Sequence, residues 1–93
     1  MAYEVLFTSR AEADLDKIYK YFLDNDFDLK KFAMIKVEIH AKLAEKPLSN
    51  LIYNEKRQIF KILVLRKNVV FYRVTNEKVR ILRVKAGKMN VNL

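Results

Sequence analysis

Residues 68–85, NVVFYRVTNEKVRILRVK, contain the clearest structural signal in the chain. Two runs of β-branched and aromatic residues flank Asn76-Glu77, and this pattern predicts a β-hairpin that turns at those two residues. A hairpin in a small sheet usually has one apolar face and one polar face. Here both faces carry apolar side chains, so the sequence raises the question of what covers the second face.

The turn fixes the expected cross-strand pairs, because Thr75 then opposes Lys78 and each further pair follows in step. One face is predicted to carry the pairs Val74/Val79, Tyr72/Ile81 and Val70/Arg83. The other face is predicted to carry the pairs Arg73/Arg80, Phe71/Leu82 and Val69/Val84.

Upstream of this hairpin, the sequence predicts a short strand over Tyr3–Phe7, followed by a helix. Ser9 and Glu12 have the spacing of a capping box, which places the start of the helix at Ser9. The apolar stripe of this helix is expected to contain Ala11, Leu15, Ile18, Tyr19 and Phe22.

A second helix is predicted from about Leu29 to Glu45, with Asp26 or Asp28 as its N-cap and Pro47 ending it. Its expected buried stripe is formed by Phe32, Ile35, Ile39 and Leu43. Residues 48–56 are interpreted as a connection with a short apolar anchor, and strands are predicted at 57–66, 68–75 and 78–87.

The fold class predicted for residues 1–93 is a single α+β domain. It consists of an N-terminal strand, a two-helix hairpin and three antiparallel strands. Because each helix has one apolar stripe, the two helices can cover one face of the sheet only. An exposed patch of Val69, Phe71, Leu82 and Val84 on the other face is therefore expected to bind a partner.

The charge of +8 is distributed unevenly along the chain. Residues 55–93 hold 11 Lys/Arg and 2 Asp/Glu, a net charge of +9, whereas residues 1–54 hold 8 and 9, a net charge of −1. This asymmetry favours an acidic or polyanionic partner for the second half. The expected anion-binding residues are Arg73, Arg80, Arg83, Lys85 and Lys88, and Arg73 and Arg80 are predicted to repel each other across the hairpin.

Several functional classes are disfavoured by composition. The chain has no cysteine, which excludes thiolate chemistry and fits the reducing cytoplasm. It has no apolar run long enough to span a bilayer, so no membrane role is expected. Asp24, Asp26 and Asp28 alternate as in a calcium loop, but Leu29 stands where that loop has its turn glycine, so neither metal nor cofactor is predicted. His40 has no acidic or serine pattern around it and is interpreted as a surface residue.

The segments YEVLFTSRAEADLDKIYKYF and VVFYRVTNEKVRILRVKAGK, with the order of elements, resemble RelE/ParE-type toxins of bacterial type II toxin–antitoxin modules. The resemblance covers nearly the whole chain. It implies a toxin of a plasmid-stabilisation or stress module that a cognate antitoxin holds with a helix and an extended segment. That antitoxin would cover the second face of the hairpin.

The family has a RelE-like branch of ribosome-dependent mRNA endonucleases. According to the resemblance, two phosphate-binding cations of this branch correspond to Val69 and Met89 of this sequence. Neither of these residues is basic. A nuclease with a substituted site would use Lys61, Arg73 or Arg83 on the phosphate and His40 as the base.

The ParE-like branch binds DNA gyrase and needs no nuclease groups, and FYRV…ILRV is more similar to this branch. The resemblance therefore implies a growth inhibitor that binds gyrase rather than an enzyme. The mRNA endonuclease and a non-toxic basic module that binds antitoxin or nucleic acid are the alternative hypotheses.

Overall fold

A computed structural model describes residues 2–86 of the chain. The elements in chain order are β1 (Glu4–Phe7), α1 (Ser9–Asp24), α2 (Leu29–Leu43), a 3-10 turn (Pro47–Ser49), β2 (Leu51–Asn54), β3 (Ile59–Val64), β4 (Asn68–Thr75) and β5 (Lys78–Ala86). None of the helices in residues 2–86 is long and apolar enough to cross a membrane.

The strands form one sheet in the order β1-β5-β4-β3-β2. β1 is parallel to β5, and the other three pairings are antiparallel. The predicted α+β class is confirmed, with α1 and α2 packed together against the sheet. The predicted connection at 48–56 is wrong in one respect, because Leu51–Asn54 is a further strand at the edge of the sheet.

The helices start and end close to the predicted positions. The cap of α1 is Thr8 rather than Ser9, because the Thr8 hydroxyl accepts the Ala11 N–H at 3.2 Å. Asp28 caps α2 by accepting the Lys30 N–H at 2.9 Å. α2 ends at Leu43, before the predicted Glu45.

The core lies between the helices and one face of the sheet. It contains the predicted helical residues Ala11, Leu15, Ile18, Ile35, Ile39 and Leu43, together with strand residues of the hairpin. Tyr72 is fully buried in this core, and its hydroxyl donates to the Pro47 carbonyl and accepts from Asn50 Nδ2. Burial raises the pKa of Tyr72 and the Asn50 bond opposes the shift, so the hydroxyl keeps the proton that it donates.

The hairpin turns where the sequence predicts, with Asn76 and Glu77 both at positive φ (50° and 62°). This is the turn geometry that matches the twist of the two strands. The predicted pairs from Thr75/Lys78 to Tyr72/Ile81 are confirmed, including the facing arginines Arg73 and Arg80.

Beyond Ile81 the predicted register is wrong, because Leu82 is an extra residue that forms a β-bulge in β5. Val84 therefore pairs with Val70, and Arg83 pairs with Phe71. The shift exchanges the two residues between faces: Val84 is 1% exposed in the core, and Arg83 lies on the opposite face.

Candidate functional site

An open groove of about 820 Å³ lies where the start of α1, the bulge of β5 and the turn after β2 meet. Its lining residues come from four separate parts of the chain: Thr8, Ser9, Arg10, Tyr53, Asn54, Arg57, Ile59, Phe71, Arg73, Leu82 and Arg83. Four of these are arginines, and no Asp, Glu or His is among the described lining residues. The groove is therefore a cationic surface with an apolar floor.

Phe71 forms part of that floor, and the Tyr53 ring packs against it edge-on at 4.8 Å between centroids. This contact leaves Phe71 only 5% exposed. The sequence predicted that Phe71 would be open to a partner, and that expectation is wrong because β2, which was not predicted as a strand, brings Tyr53 over it.

Three of the four groove arginines have no carboxylate partner within 4.0 Å among residues 2–86: Arg10, Arg57 and Arg73. Guanidinium groups bind carboxylates and phosphates through paired N–H donors. The groove therefore offers several donors to one extended anionic ligand.

Arg83 differs from these three because Asp14 of α1 holds it. Arg83 Nε and one terminal nitrogen donate to the two Asp14 carboxylate oxygens at 2.8 and 3.1 Å. The Arg83 side chain still keeps 23% of its surface exposed and lines the groove. Asp14 thus fixes the direction of one groove cation.

Asp14 also contacts two other parts of β5. It accepts the Val84 N–H at 3.0 Å and lies 3.5 Å from Lys85 Nζ. Burial by itself raises the pKa of the Asp14 carboxyl. The hydrogen bonds from Arg83 and Val84 and the charges of Lys85 and Arg83 outweigh burial, so the pKa lies below its usual value. The same pair raises the pKa of Arg83, chiefly through the hydrogen bond to Asp14.

The predicted anion-binding residues divide into three groups. Arg73 and Arg80 are exposed and face each other, as expected. Arg83 and Lys85 both contact Asp14, and their contact with an anionic partner stays a prediction. Lys88 lies outside the described residues, as does Met89.

Of the residues proposed for a nuclease, Arg73 and Arg83 line the groove, whereas Lys61 and His40 do not. Lys61 Nζ lies 5.8 Å from the centre of the Tyr53 ring. His40 is exposed on α2 and its ring packs near Phe7, with 5.9 Å between centroids. The structure therefore does not assemble the predicted set.

The predicted antitoxin surface is also altered. Val84 is in the core, so its expected exposure is wrong, while Val69 and Leu82 are half-buried. Contact of Val69 or Leu82 with an antitoxin stays a prediction.

Sequence analysis missed Asp14, Arg10 and Arg57. Asp14 has a signal in the sequence that could have identified it. It falls on the same helical stripe as Ala11, Leu15 and Ile18, and an acidic residue on a buried stripe requires a cationic partner. Arg10 and Arg57 have no comparable signal in the sequence.

Residues 2–86 contain no group of three or more His, Asp or Glu side chains arranged to hold a metal ion.

Solved structures with this architecture include two toxin–antitoxin systems. The chain is similar to the toxin–antitoxin complex RelBE2 of Mycobacterium tuberculosis, with a TM-score of 0.67, 24% identity, and 92% of each chain covered. It is also similar to the chromosomal ParDE system of P. aeruginosa, with a TM-score of 0.67, 19% identity, and 90% and 95% covered. A conserved hypothetical protein of Helicobacter pylori gives a TM-score of 0.59 at 15% identity, with 90% and 93% covered. At identities this low, these TM-scores show a shared fold.

The sequence model of the ParE toxin of type II toxin–antitoxin systems, parDE, matches residues 5–91. The chain therefore belongs to the ParE toxin family. No curated protein gives a significant match to the sequence.

Proposed function

We propose that this toxin arrests growth by binding DNA gyrase, and that a cognate acidic antitoxin holds it inactive. The observation that carries the proposal is the groove, which places four arginines together without an Asp, Glu or His among its described lining residues. Such a surface has the charge to bind an anionic target. It lacks a conventional acid–base pair for cleaving one.

Binding without cleavage is supported by the positions that the family resemblance assigns to nuclease cations. Val69, which stands at one of these positions, is a half-buried apolar residue of β4. His40, the single histidine of the chain, contacts Phe7 and is not a lining residue of the groove. The proposed target is therefore bound by charge and shape.

A ribosome-dependent mRNA endonuclease is the second candidate, and one observation favours it. Arg73 and Arg83 both line the groove, where their guanidinium groups are able to contact a phosphodiester. Stabilising charge on a scissile phosphate is a large part of such catalysis. The endonuclease needs a general base, and the gyrase-binding toxin does not. An experiment that measures mRNA cleavage and supercoiling together distinguishes the two candidates.

The test is controlled expression of the chain without antitoxin, with three readouts: growth, supercoiling of a reporter plasmid and integrity of mRNA. We expect growth arrest with reduced negative supercoiling and no cleavage of mRNA at codon positions. Codon-position cleavage with unchanged supercoiling would establish the endonuclease instead. Arrest with neither change would exclude both targets.

A matched pair of variants connects the result to the groove. Arg57→Ala with Arg73→Ala removes two groove charges, whereas Lys20→Ala with Lys31→Ala removes two exposed charges on the helices. Both variants lower the net charge equally. We expect the first to lose growth arrest and the second to retain it, and equal loss in both would show that only total charge matters.

A further inference from the structure

A second cavity, of about 390 Å³, lies where the end of α2 meets the start of β2 and the middle of β3. Three lysines from separate parts of the chain line it: Lys42 of α2, Lys46 of the segment after α2, and Lys61 of β3. No Asp or Glu is among its described lining residues. We call this cavity the lysine notch.

The charges of these lysines are not neutralised within the described part of the chain. None of the three has a carboxylate within 4.0 Å in residues 2–86. The Lys42 ammonium lies 3.4 Å from the Leu63 carbonyl, and Lys61 Nζ lies 5.8 Å from the centre of the Tyr53 ring. These neutral neighbours fix where the two ammonium groups lie and leave their positive charge in place.

The segment between α2 and β2 adds a fixed polar group to the notch. The Tyr72 hydroxyl donates to the Pro47 carbonyl and accepts a hydrogen bond from Asn50 Nδ2. An amide nitrogen carries two donors, and the second donor of Asn50 has no acceptor within residues 2–86. Because Asn50 lines the notch, this N–H is available to an anion there.

The lysine notch and the groove lined by Arg10, Arg57, Arg73 and Arg83 (the arginine groove) lie on the same face of the sheet. Lys61 of β3 is opposite Phe71 of β4, which is opposite Arg83 of β5. Directly opposite residues share a face, and neighbouring strands are about 4.8 Å apart. Lys61 of the notch and Arg83 of the groove therefore leave the backbone about 10 Å apart.

The two cavities together form one cationic surface. Six of its seven basic side chains have no carboxylate within 4.0 Å in residues 2–86, and the seventh, Arg83, is held by Asp14. A single small anion cannot contact cations spread over this distance. About 10 Å of duplex DNA carries roughly six phosphate charges, which is enough to meet both cavities at once.

We propose that the lysine notch binds backbone phosphates of duplex DNA, and that the arginine groove binds the same duplex. The inference rests on the proposed function for its cellular setting, because DNA is the substrate of gyrase. It adds that this toxin contacts the DNA as well as the protein. Phosphate contacts fix position without reading base sequence, so the binding is independent of sequence.

Single-stranded RNA fits this surface less well than a duplex. Proteins bind single strands largely by stacking their bases on free aromatic faces. Here Phe71 is buried beneath Tyr53, and Lys61 lies over the Tyr53 ring. Both aromatic side chains of the arginine groove are therefore engaged within the chain, which leaves charge as the means of binding.

The experiment measures fluorescence anisotropy of a labelled duplex of about 20 base pairs with the full chain, without gyrase, between about 50 and 200 mM KCl. We expect a dissociation constant on the order of 10⁻⁵ M that rises steeply with salt. The slope of log affinity against log salt counts the phosphates contacted, because each contact contributes about 0.9. A single-stranded RNA of the same length, measured in parallel, should bind more weakly.

A matched pair of variants locates the contacts. Lys42→Gln with Lys61→Gln removes two notch charges, whereas Lys20→Gln with Lys31→Gln removes two exposed charges on the helices. We expect the first pair to reduce the salt slope by about 1.8 and to weaken binding about tenfold or more at low salt. The second pair should leave both values near those of the parent. If Lys61→Gln lowers the melting temperature, Lys42→Gln with Lys46→Gln replaces it in the test.

Three results would overturn the proposal: no binding to the duplex at about 50 mM salt, equal loss of affinity in the two variant pairs, or tighter binding of the single-stranded RNA. Failure of the proposed target gives a different result. A chain that binds DNA through the notch but leaves supercoiling unchanged would contradict the gyrase target alone. A chain that reduces supercoiling without binding DNA would contradict this inference alone.

Discussion

The two edges of the sheet differ in whether other parts of the chain satisfy the outer backbone N–H and C=O groups. At one edge β1 pairs with β5 only from Glu4 to Phe7, and beyond that point α1 lies beside β5. The Thr8 hydroxyl donates to the Ile81 carbonyl at 2.8 Å, and Asp14 accepts the Val84 N–H. At the other edge Leu51, Ile52 and Tyr53 of β2 are exposed.

The difference shows two ways in which one sheet satisfies the backbone groups at its edges. Side-chain groups of α1 satisfy the backbone around the β5 bulge, where a buried unpaired group would cost about 1–3 kcal/mol. Within residues 2–86, β2 has no strand on its outer side, and water can satisfy its outer backbone groups there. The closed edge is thus held by contacts within the chain, whereas the outer side of β2 is open to solvent.

The largest effect on stability should come from Asp14→Asn at the closed edge. The substitution leaves Arg83 and Lys85 close together without a carboxylate, and breaking a buried ion pair costs about 3 kcal/mol. Urea unfolding of the variant should show this loss. Asp16→Asn, at an exposed position of the same helix, is the control and should change stability by less than about 0.5 kcal/mol. Equal effects would contradict the role assigned to Asp14.

The same site should make stability depend on acidic pH. The pKa of Asp14 is lowered in the folded chain from its ordinary value of 3.8, so the unfolded chain binds this proton more tightly. The stabilisation is therefore complete above about pH 5 and is lost as pH falls through the folded pKa. Unfolding at several pH values should show the difference between parent and Asp14→Asn shrinking below about pH 4. A constant difference would mean that the carboxylate charge is not the stabilising feature.

A smaller loss of stability is expected from Tyr72→Phe. This variant tests the hydrogen bonds that hold the segment leading into β2. The Tyr72 hydroxyl bonds the Pro47 carbonyl and Asn50, and these residues lead into β2. Removing it should cost about 1–2 kcal/mol, because the buried carbonyl loses its donor. Thermal unfolding measures the loss, and Tyr19→Phe at a 41% exposed position serves as the control. A Tyr72→Phe variant as stable as that control would show that the hydroxyl does not anchor the segment.

The smallest effect on stability is predicted for Arg80→Ala. Arg80 is exposed and faces Arg73 across the hairpin. Its removal therefore relieves a like-charge repulsion of roughly a few tenths of a kcal/mol. The melting temperature should stay level or rise slightly, while growth arrest and target binding weaken. A stable variant with full toxicity would remove Arg80 from the target surface, and a clear loss of stability would show that it supports the fold.

The sequence by itself determined the order of the elements except β2, the buried stripes of both helices except Tyr19, which is 41% exposed, and the hairpin turn at Asn76-Glu77. These features depend on local periodicity and turn chemistry, which a short window of residues contains. The similarity of two long segments to RelE/ParE-type toxins also came from sequence alone, and the match of the ParE family to residues 5–91 confirms it.

Only the tertiary structure decided where Arg83, Val84 and Asp14 lie. Around the bulge, apolar side chains occur at both strand parities (Ile81 at one, Leu82 and Val84 at the other), so periodicity does not locate the extra residue at Leu82. The bulge instead depends on a contact between β5 and α1. There the Asp14 carboxylate accepts hydrogen bonds from both the Val84 N–H and the Arg83 side chain. The groove likewise depends on Arg10 and Arg57, which are 47 positions apart in the chain and meet only because α1 and the turn after β2 converge on one face of the sheet.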